Sequence, residues 1–213
     1  DASLVFDAVA GYDSMDSTSE KSFSGNTFKA LSRDIKGKKL AIPNELMESA
    51  DDEVKALVIK ACKALKESGA VLDYVDMPLL KVALPAYYVI ACAEASSNLG
   101  RYDGIRYGKR AENYESIHHM ICKTRAELFG DEVKKRIMLG TFVLSEGYFD
   151  RYYAKAQKIR SSLIKEFDKV FEEYDAVVSP TSPTTAFKIG EVSENRTGSF
   201  NADLCTAPVN LAG

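Results

Sequence analysis

The chain has 213 residues, of which 46% are hydrophobic and 28% charged, and its formal net charge is −3 at pH 7. This composition is typical of a soluble globular protein that forms one large domain or part of a larger one. The weak acidic charge excludes charge-driven attachment to nucleic acid or to a membrane surface, and no apolar run approaches the ~20 residues of a membrane span. The four cysteines are far apart in the sequence, which predicts reduced thiols in a cytoplasmic protein.

The two ends of the sequence do not resemble the ends of a domain. The chain begins without Met in "DASLVFDAVAGYD" and closes on the apolar segment "CTAPVNLAG". We therefore expect the chain to be a piece of a longer protein, truncated at both ends.

The first half of the sequence predicts a helix, a loop, and then a strand–helix–strand unit. Apolar residues repeat with helical spacing in "DASLVFDAVA", and a Ser- and Asp-rich segment follows. "KGKKLAIP" predicts a strand that Pro43 ends, "DDEVKALVIKACKALKESG" predicts a helix closed by Gly69, and "AVLDYVDMP" predicts a second strand. This order favours an α/β fold in which a right-handed crossover joins the two strands.

The second half of the sequence predicts mostly helices. One helix is expected after Pro85 and ends near Gly100, and two more are expected in "ENYESIHHMICKTRAELFG" and "DEVKKRIMLGTFVL". A long helix is expected from Glu146 to Tyr174, because apolar residues recur there at every third or fourth position. "DAVVSP" predicts a short buried strand, and a Pro- and Thr-rich connection leads from it to the last apolar segment.

Two charged residues are candidates for holding a small zwitterion such as an α-amino acid. Arg136 can bind a carboxylate with its planar fork, and Gly140, one turn later on the same helix face, would leave that side chain uncovered. Asp203 can supply the anion for an ammonium group. Each residue also has a plain structural explanation: Arg136 as a surface residue of the basic run "KKR", and Asp203 as a helix cap or turn residue.

Six long motifs, in the same order along the chain, resemble the amidase signature family. They are "FDAVAGYDSMDSTS", "DIKGKKLAIP", "YYVIACAEASSNLGRYDGIRYG", "VKKRIMLGTFVLSEGYFDRYY", "YDAVVSPTSPTTAFKIGE" and "TAPVNLAG". Within that family the resemblance is to the A subunits of amidotransferases that act on glutamyl-tRNA(Gln) or aspartyl-tRNA(Asn). It implies an α/β/α fold around a mixed sheet, of which residues 1–213 would be the C-terminal portion of a single domain.

The resemblance also implies an activity. These subunits hydrolyse glutamine with a Ser–cis-Ser–Lys triad, and a partner subunit uses the ammonia to amidate a mischarged tRNA in an ATP-dependent ligase reaction. The Gly- and Ser-rich motif of the two serines and the preceding lysine motif do not occur in this sequence. We therefore expect no catalytic residue in this chain and no glutaminase activity from the chain alone.

The resemblance assigns three substrate-binding residues. Tyr87 matches the tyrosine of the "YYVIA" stretch, Arg136 would hold the substrate carboxylate, and Asp203 would hold the α-amino group. No metal or cofactor is expected in this chain, and ATP and Mg²⁺ are expected on a partner. The expected partners are glutamine, the B and C subunits of a heterotrimer, and tRNA reached mainly through the partner subunit, in the cytoplasm and without a membrane.

Two other functions fit the same residues. The chain could belong to a stand-alone amidase that acts on another amide, which would not need the Arg–Asp pair. It could also be a non-catalytic scaffold that binds the other amidotransferase subunits through the long helix from Glu146 to Tyr174.

Overall fold

The computed structural model describes residues 1–22, 26–31, 34–189 and 201–213, and it has the predicted α/β architecture. Within these ranges the regular elements are α1 (Ala2–Val9), α2 (Thr27–Ala30), β1 (Lys39–Pro43), α3 (Asn44–Glu48), α4 (Asp52–Glu67), β2 (Val71–Val75), α5 (Leu80–Asn98), α6 (Ile117–Leu128), α7 (Asp131–Leu144), α8 (Tyr153–Phe171), β3 (Ala176–Val177) and α9 (Ala207–Ala212). A single 3₁₀ turn, Leu99–Arg101, extends α5.

The described strands form one parallel sheet in the order β2-β1-β3. Leu40 in β1 lies opposite Leu72 on one side and Ala176 on the other. The predicted parallel strand–helix–strand unit is therefore confirmed, with α3 and α4 between β1 and β2. The Asp175 carboxylate holds β3 at this register, because it accepts hydrogen bonds from Lys38 Nζ at 2.6 Å and from the Lys39 backbone N–H at 2.8 Å.

Helix α5 begins before Pro85, which corrects the prediction that it begins after that residue. It starts at Leu80 and includes the proline. Proline has no N–H to donate to the carbonyl one turn earlier, so the helix loses one hydrogen bond there. Burial compensates for that loss, because Leu80 and Ala83 in the first turn are completely enclosed in the main core.

Helix α8 is shorter than predicted. The expected helix starts at Glu146, whereas the chain turns as far as Tyr152 and α8 begins at Tyr153. Gly147 adopts a left-handed conformation with φ +82°, which an α-helix does not accommodate. The aromatic rings in this turn pack on α7 instead, with Tyr148 and Phe142 4.4 Å apart at their centroids.

The main core lies between α5, α8 and α9. Its buried side chains include Leu46, Met77, Leu80, Leu163 and Leu211. Helix α9 is also held by a hydrogen bond from Arg160 Nε to the Leu211 carbonyl at 3.0 Å. This core fixes one face of α5, the helix that carries the candidate site.

Two further observations concern predictions made from composition. All four cysteines are free: Cys62, Cys92 and Cys205 are buried, and Cys122 is exposed. No helix in the described parts of the chain combines the length and the apolar character that are needed to cross a membrane.

Candidate functional site

The close contact between α5 and α7 sets the position of Arg136. Gly140 in α7 is buried against the backbone of α5, where an added Cβ would overlap the Cys92 carbonyl oxygen and lie 2.6 Å from Ser96 Cβ. A hydrogen bond of 3.0 Å joins the Ser96 and Thr141 hydroxyls across the same contact. Cys92 and Ser96 of "ACAEASSN" therefore lie at the close contact between the two helices.

This packing changes the explanation for Gly140. From the sequence, the glycine was expected to leave Arg136 uncovered. The structure instead gives Gly140 a packing role, since only a residue without a side chain permits the approach to Cys92. Arg136 is brought to α5 by this contact, one turn before the glycine.

The Arg136 side chain is oriented by Glu132, one turn earlier on α7. Its Nε donates a hydrogen bond of 3.1 Å to Glu132 Oε1, which raises the pKa of Arg136 and lowers the pKa of Glu132. Among the described residues, the terminal nitrogens of the guanidinium have no hydrogen-bond partner. With its side chain 40% exposed, Arg136 can offer these two nitrogens to a carboxylate.

Asp203 is joined to α5 by Tyr88. The Tyr88 hydroxyl donates a hydrogen bond of 2.8 Å to Asp203 Oδ2, although the residues are 115 positions apart. The Asp203 backbone carbonyl accepts hydrogen bonds from the N–H groups of Thr206 and Ala207 at the start of α9. Asp203 is thus a turn residue, as one explanation proposed, but its carboxylate contacts α5 and does not cap the helix.

The pKa of Tyr88 responds to the charges of both Arg136 and Asp203. Its pKa is raised to about 12, first by burial and then by the hydrogen bond and negative charge of Asp203, while the positive charge of Arg136 acts in the opposite direction. Both side chains therefore act on one phenol. Asp203, which lies far from α5 in the sequence, contacts Tyr88 directly, and the charge of Arg136 acts on the same residue.

We expect this raised pKa to be measurable. Tyr88 should remain a neutral phenol at pH values where exposed tyrosines ionise, and Asp203→Asn should lower its pKa only part of the way to 10 because burial remains. The folded pKa exceeds the unfolded one, so this contribution to stability is complete below pH 10 and is lost as the pH rises to about 12. An NMR titration of ¹³Cζ-labelled tyrosine, assigned with Tyr88→Phe, measures the shift. If Tyr88 ionised at the same pH as the exposed tyrosines, the prediction of a raised pKa would be contradicted.

Tyr87 precedes Tyr88 on α5, and its side chain points in a different direction. Its ring packs against the main core and meets the Tyr88 ring edge-on, with centroids 5.4 Å apart. Its assignment as a substrate contact stays a prediction. The sequence does not predict Tyr88 as a site residue. Adjacent helical residues point about 100° apart, so only one of the two tyrosines can face Asp203, and nothing in "YYVIA" shows which one does.

A cleft of about 540 Å³ opens beside Tyr88. Leu84, Tyr88, Asn201 and Leu204 are among the residues that line it. Its volume is sufficient for a small organic molecule. In the part of the chain that the structure describes, no three potential metal-ligating side chains lie together.

Comparison with known proteins identifies the family. The sequence profile of the Amidase family matches residues 1–213. This chain belongs to the amidase signature family. The A subunit of the glutamyl-tRNA(Gln) amidotransferase of Halothermothrix orenii is 48% identical over 214 aligned residues, which cover 100% of this chain and 45% of that protein. The chain thus spans about 45% of the length of this relative.

Solved structures of the amidase signature family share the fold. The A subunit of the glutamyl-tRNA(Gln) amidotransferase of Thermotoga maritima matches 99% of this chain and 41% of its own, with 35% identity and a TM-score of 0.67. A bacterial aryl acylamidase of the same family matches all of this chain and 42% of its own, with 19% identity and a TM-score of 0.66. The similarity to the aryl acylamidase shows that an amidase signature enzyme named for another substrate has the same fold.

Proposed function

We propose that the whole protein to which this chain belongs hydrolyses glutamine and supplies ammonia for the amidation of mischarged Glu-tRNA(Gln) or Asp-tRNA(Asn). The observation that carries the proposal is the approach of Arg136 and Asp203 to Tyr88, which gives the site one group of each charge. The proposal is further supported by 48% identity to one component of a glutamyl-tRNA(Gln) amidotransferase.

The two charges match the two ends of an amino acid. The terminal nitrogens of Arg136, which have no hydrogen-bond partner in the described parts of the chain, bind the substrate carboxylate in a forked arrangement, and the Asp203 carboxylate binds the α-ammonium group. Tyr87 is the proposed third contact. Holding both ends fixes the direction of the side-chain amide, and this orientation lowers the barrier of the reaction that follows.

The chemical step belongs to residues outside this chain. A serine of the family's Ser–cis-Ser–Lys triad attacks the amide carbon, and a lysine whose pKa is lowered by burial moves the protons. This chain therefore binds substrate and, alone, releases no ammonia from glutamine. ATP and Mg²⁺ belong to a partner subunit, the partners are the B and C subunits and tRNA, and the complex is cytoplasmic.

The structure favours this enzyme function over a scaffold function for the long helix. Ala156 and Leu163 of α8 are buried, and the apolar face of the helix packs into the main core. That face is therefore occupied within the chain and is not offered to another subunit.

The test measures ammonia release by the whole protein with its partner subunits. L-Glutamine is compared with 4-carbamoylbutanoate, which has the carboxylate and the amide but no α-amino group. Asp203→Asn is expected to raise the KM for glutamine about tenfold or more, because a hydrogen bond to a charged group is lost, and to leave the analogue unaffected. Asp150→Asn, in the exposed turn before α8, is the matched control.

Two results would contradict the proposed function. One is a wild-type enzyme that hydrolyses simple amides as well as it hydrolyses glutamine, which would support a stand-alone amidase. The other is an Asp203→Asn enzyme that loses activity equally with both substrates.

A further inference from the structure

The position of the Asp203 carboxylate depends on Tyr88. Oδ2 accepts the Tyr88 hydrogen bond at 2.8 Å, whereas Oδ1 has no hydrogen-bond partner among the described residues. The carboxylate is exposed, and the chain around it is a turn before the six-residue helix α9. In the described structure, Tyr88 is therefore the side chain that restricts the rotation of this carboxylate.

Tyr88 is held much more firmly than Asp203. It lies on α5, a helix of 19 residues that packs against α7, α8 and α9. Buried Ala86 and Ile90 flank it in sequence, and its ring packs against the Tyr87 ring in a T-shaped arrangement. A rigid phenol hydrogen-bonded to an exposed carboxylate reduces the number of orientations that the carboxylate can adopt before substrate arrives.

The chemistry of the pair also determines which oxygen is available. The phenol has a single O–H, which it donates to Oδ2, so it places no hydrogen bond on Oδ1. A phenol is neutral at physiological pH, and because the pKa of Tyr88 is raised to about 12, it also stays a donor at higher pH.

We propose that Tyr88 is a positioning residue for substrate recognition: its hydroxyl fixes Asp203 through Oδ2 and leaves Oδ1 to bind the α-ammonium group of the substrate. This inference rests on the proposed function, because it needs an amino-acid substrate. It extends the site from the residues that touch the substrate to one that acts through Asp203.

The experiment is a double-mutant cycle in the whole protein with its partner subunits. Tyr88→Phe removes the hydroxyl and keeps the ring, Asp203→Asn removes the charge, and the third variant combines both. Tyr88→Phe is expected to raise the KM for glutamine about tenfold with little change in kcat, which corresponds to about 1.4 kcal/mol. In the Asp203→Asn background, Tyr88→Phe is expected to have almost no further effect.

Two controls separate positioning from a structural role. Tyr153→Phe removes another partly buried tyrosine hydroxyl, which accepts a hydrogen bond of 2.9 Å from Gln157 Nε2, and should leave KM unchanged. The substrate analogue 4-carbamoylbutanoate lacks the ammonium group, so Tyr88→Phe should not alter its KM. Thermal unfolding of each variant shows whether the protein is folded, and the coupling energy between the two sites remains measurable if Tyr88→Phe is less stable.

The outcomes distinguish this inference from the proposed function. A wild-type enzyme that uses glutamine, with a Tyr88→Phe variant of unchanged KM, would overturn the positioning role alone. Equal losses with glutamine and with the analogue, or fully additive effects with Asp203→Asn, would also overturn it. A wild-type enzyme that does not hydrolyse glutamine would overturn both proposals together.

Discussion

Arg136→Ala is expected to lower kcat/KM for glutamine by about 10²-fold in the whole enzyme, because a forked contact to the substrate carboxylate is worth about 3 kcal/mol. The guanidinium meets the structural requirements of that contact. Its Nε is occupied by Glu132, its terminal nitrogens are free among the described residues, and its side chain is 40% exposed. Hydrolysis of a simple amide that lacks the carboxylate should be unaffected, and steady-state ammonia release measures both substrates.

The choice of control variants makes this result specific. Arg136→Lys keeps the charge but cannot form the fork, so it should recover only part of the lost activity. Arg151→Ala, in the exposed turn before α8, removes an arginine without touching the site. Equal losses with glutamine and with the simple amide would assign Arg136 to the fold and would remove the main support for an amino-acid substrate. Ammonia release by this chain alone would show that the reaction needs no residue outside it.

The strands of this fold could be predicted from local sequence, whereas two helix ends could not. The pattern of "KGKKLAIP" and "AVLDYVDMP" correctly predicts β1 and β2, because a short apolar run that ends at a proline or a polar residue has few alternatives to the strand conformation. The proline rule fails at Pro85, because burial of the first turn of α5 outweighs one lost hydrogen bond. Periodicity alone does not reveal that the left-handed conformation of Gly147 delays the start of α8 to Tyr153.

The sequence offers two charged candidates for the site, whose roles stay predictions, but it does not indicate the tyrosine that contacts one of them. Arg136 and Asp203 are candidates because an amino acid needs one partner of each sign; in the structure Asp203 accepts a hydrogen bond from Tyr88, and the positive charge of Arg136 acts on the pKa of the same residue. The Tyr88–Asp203 contact joins residues 115 positions apart. It depends on the orientation of α5 about its own axis, which cannot be predicted from a single sequence. The position of Gly140 on its helix predicts that it leaves Arg136 uncovered, whereas the structure shows that it permits the close approach of α5.

Gly140→Ala is expected to reduce the free energy of unfolding by about 3 kcal/mol, a large effect for the addition of a single methyl group. The new Cβ would overlap the Cys92 carbonyl oxygen, a backbone atom that cannot rotate away, so α5 and α7 must separate. The gain in helix propensity from glycine to alanine, about 1 kcal/mol, offsets only part of this cost. Urea unfolding of the whole protein measures the change.

Gly100→Ala is the matched control, because a Cβ at that position meets nothing within 4 Å and should change stability by less than about 0.5 kcal/mol. The effect of Gly140→Ala should also reach the site, since Arg136 is carried on α7 while Tyr88 is carried on α5. Separation of the helices moves the positive charge of Arg136 away from Tyr88, so the folded variant should bind glutamine more weakly. If Gly140→Ala and Gly100→Ala were equally stable, the close α5–α7 contact would be wrong, and with it the physical reason that Arg136 lies beside Tyr88.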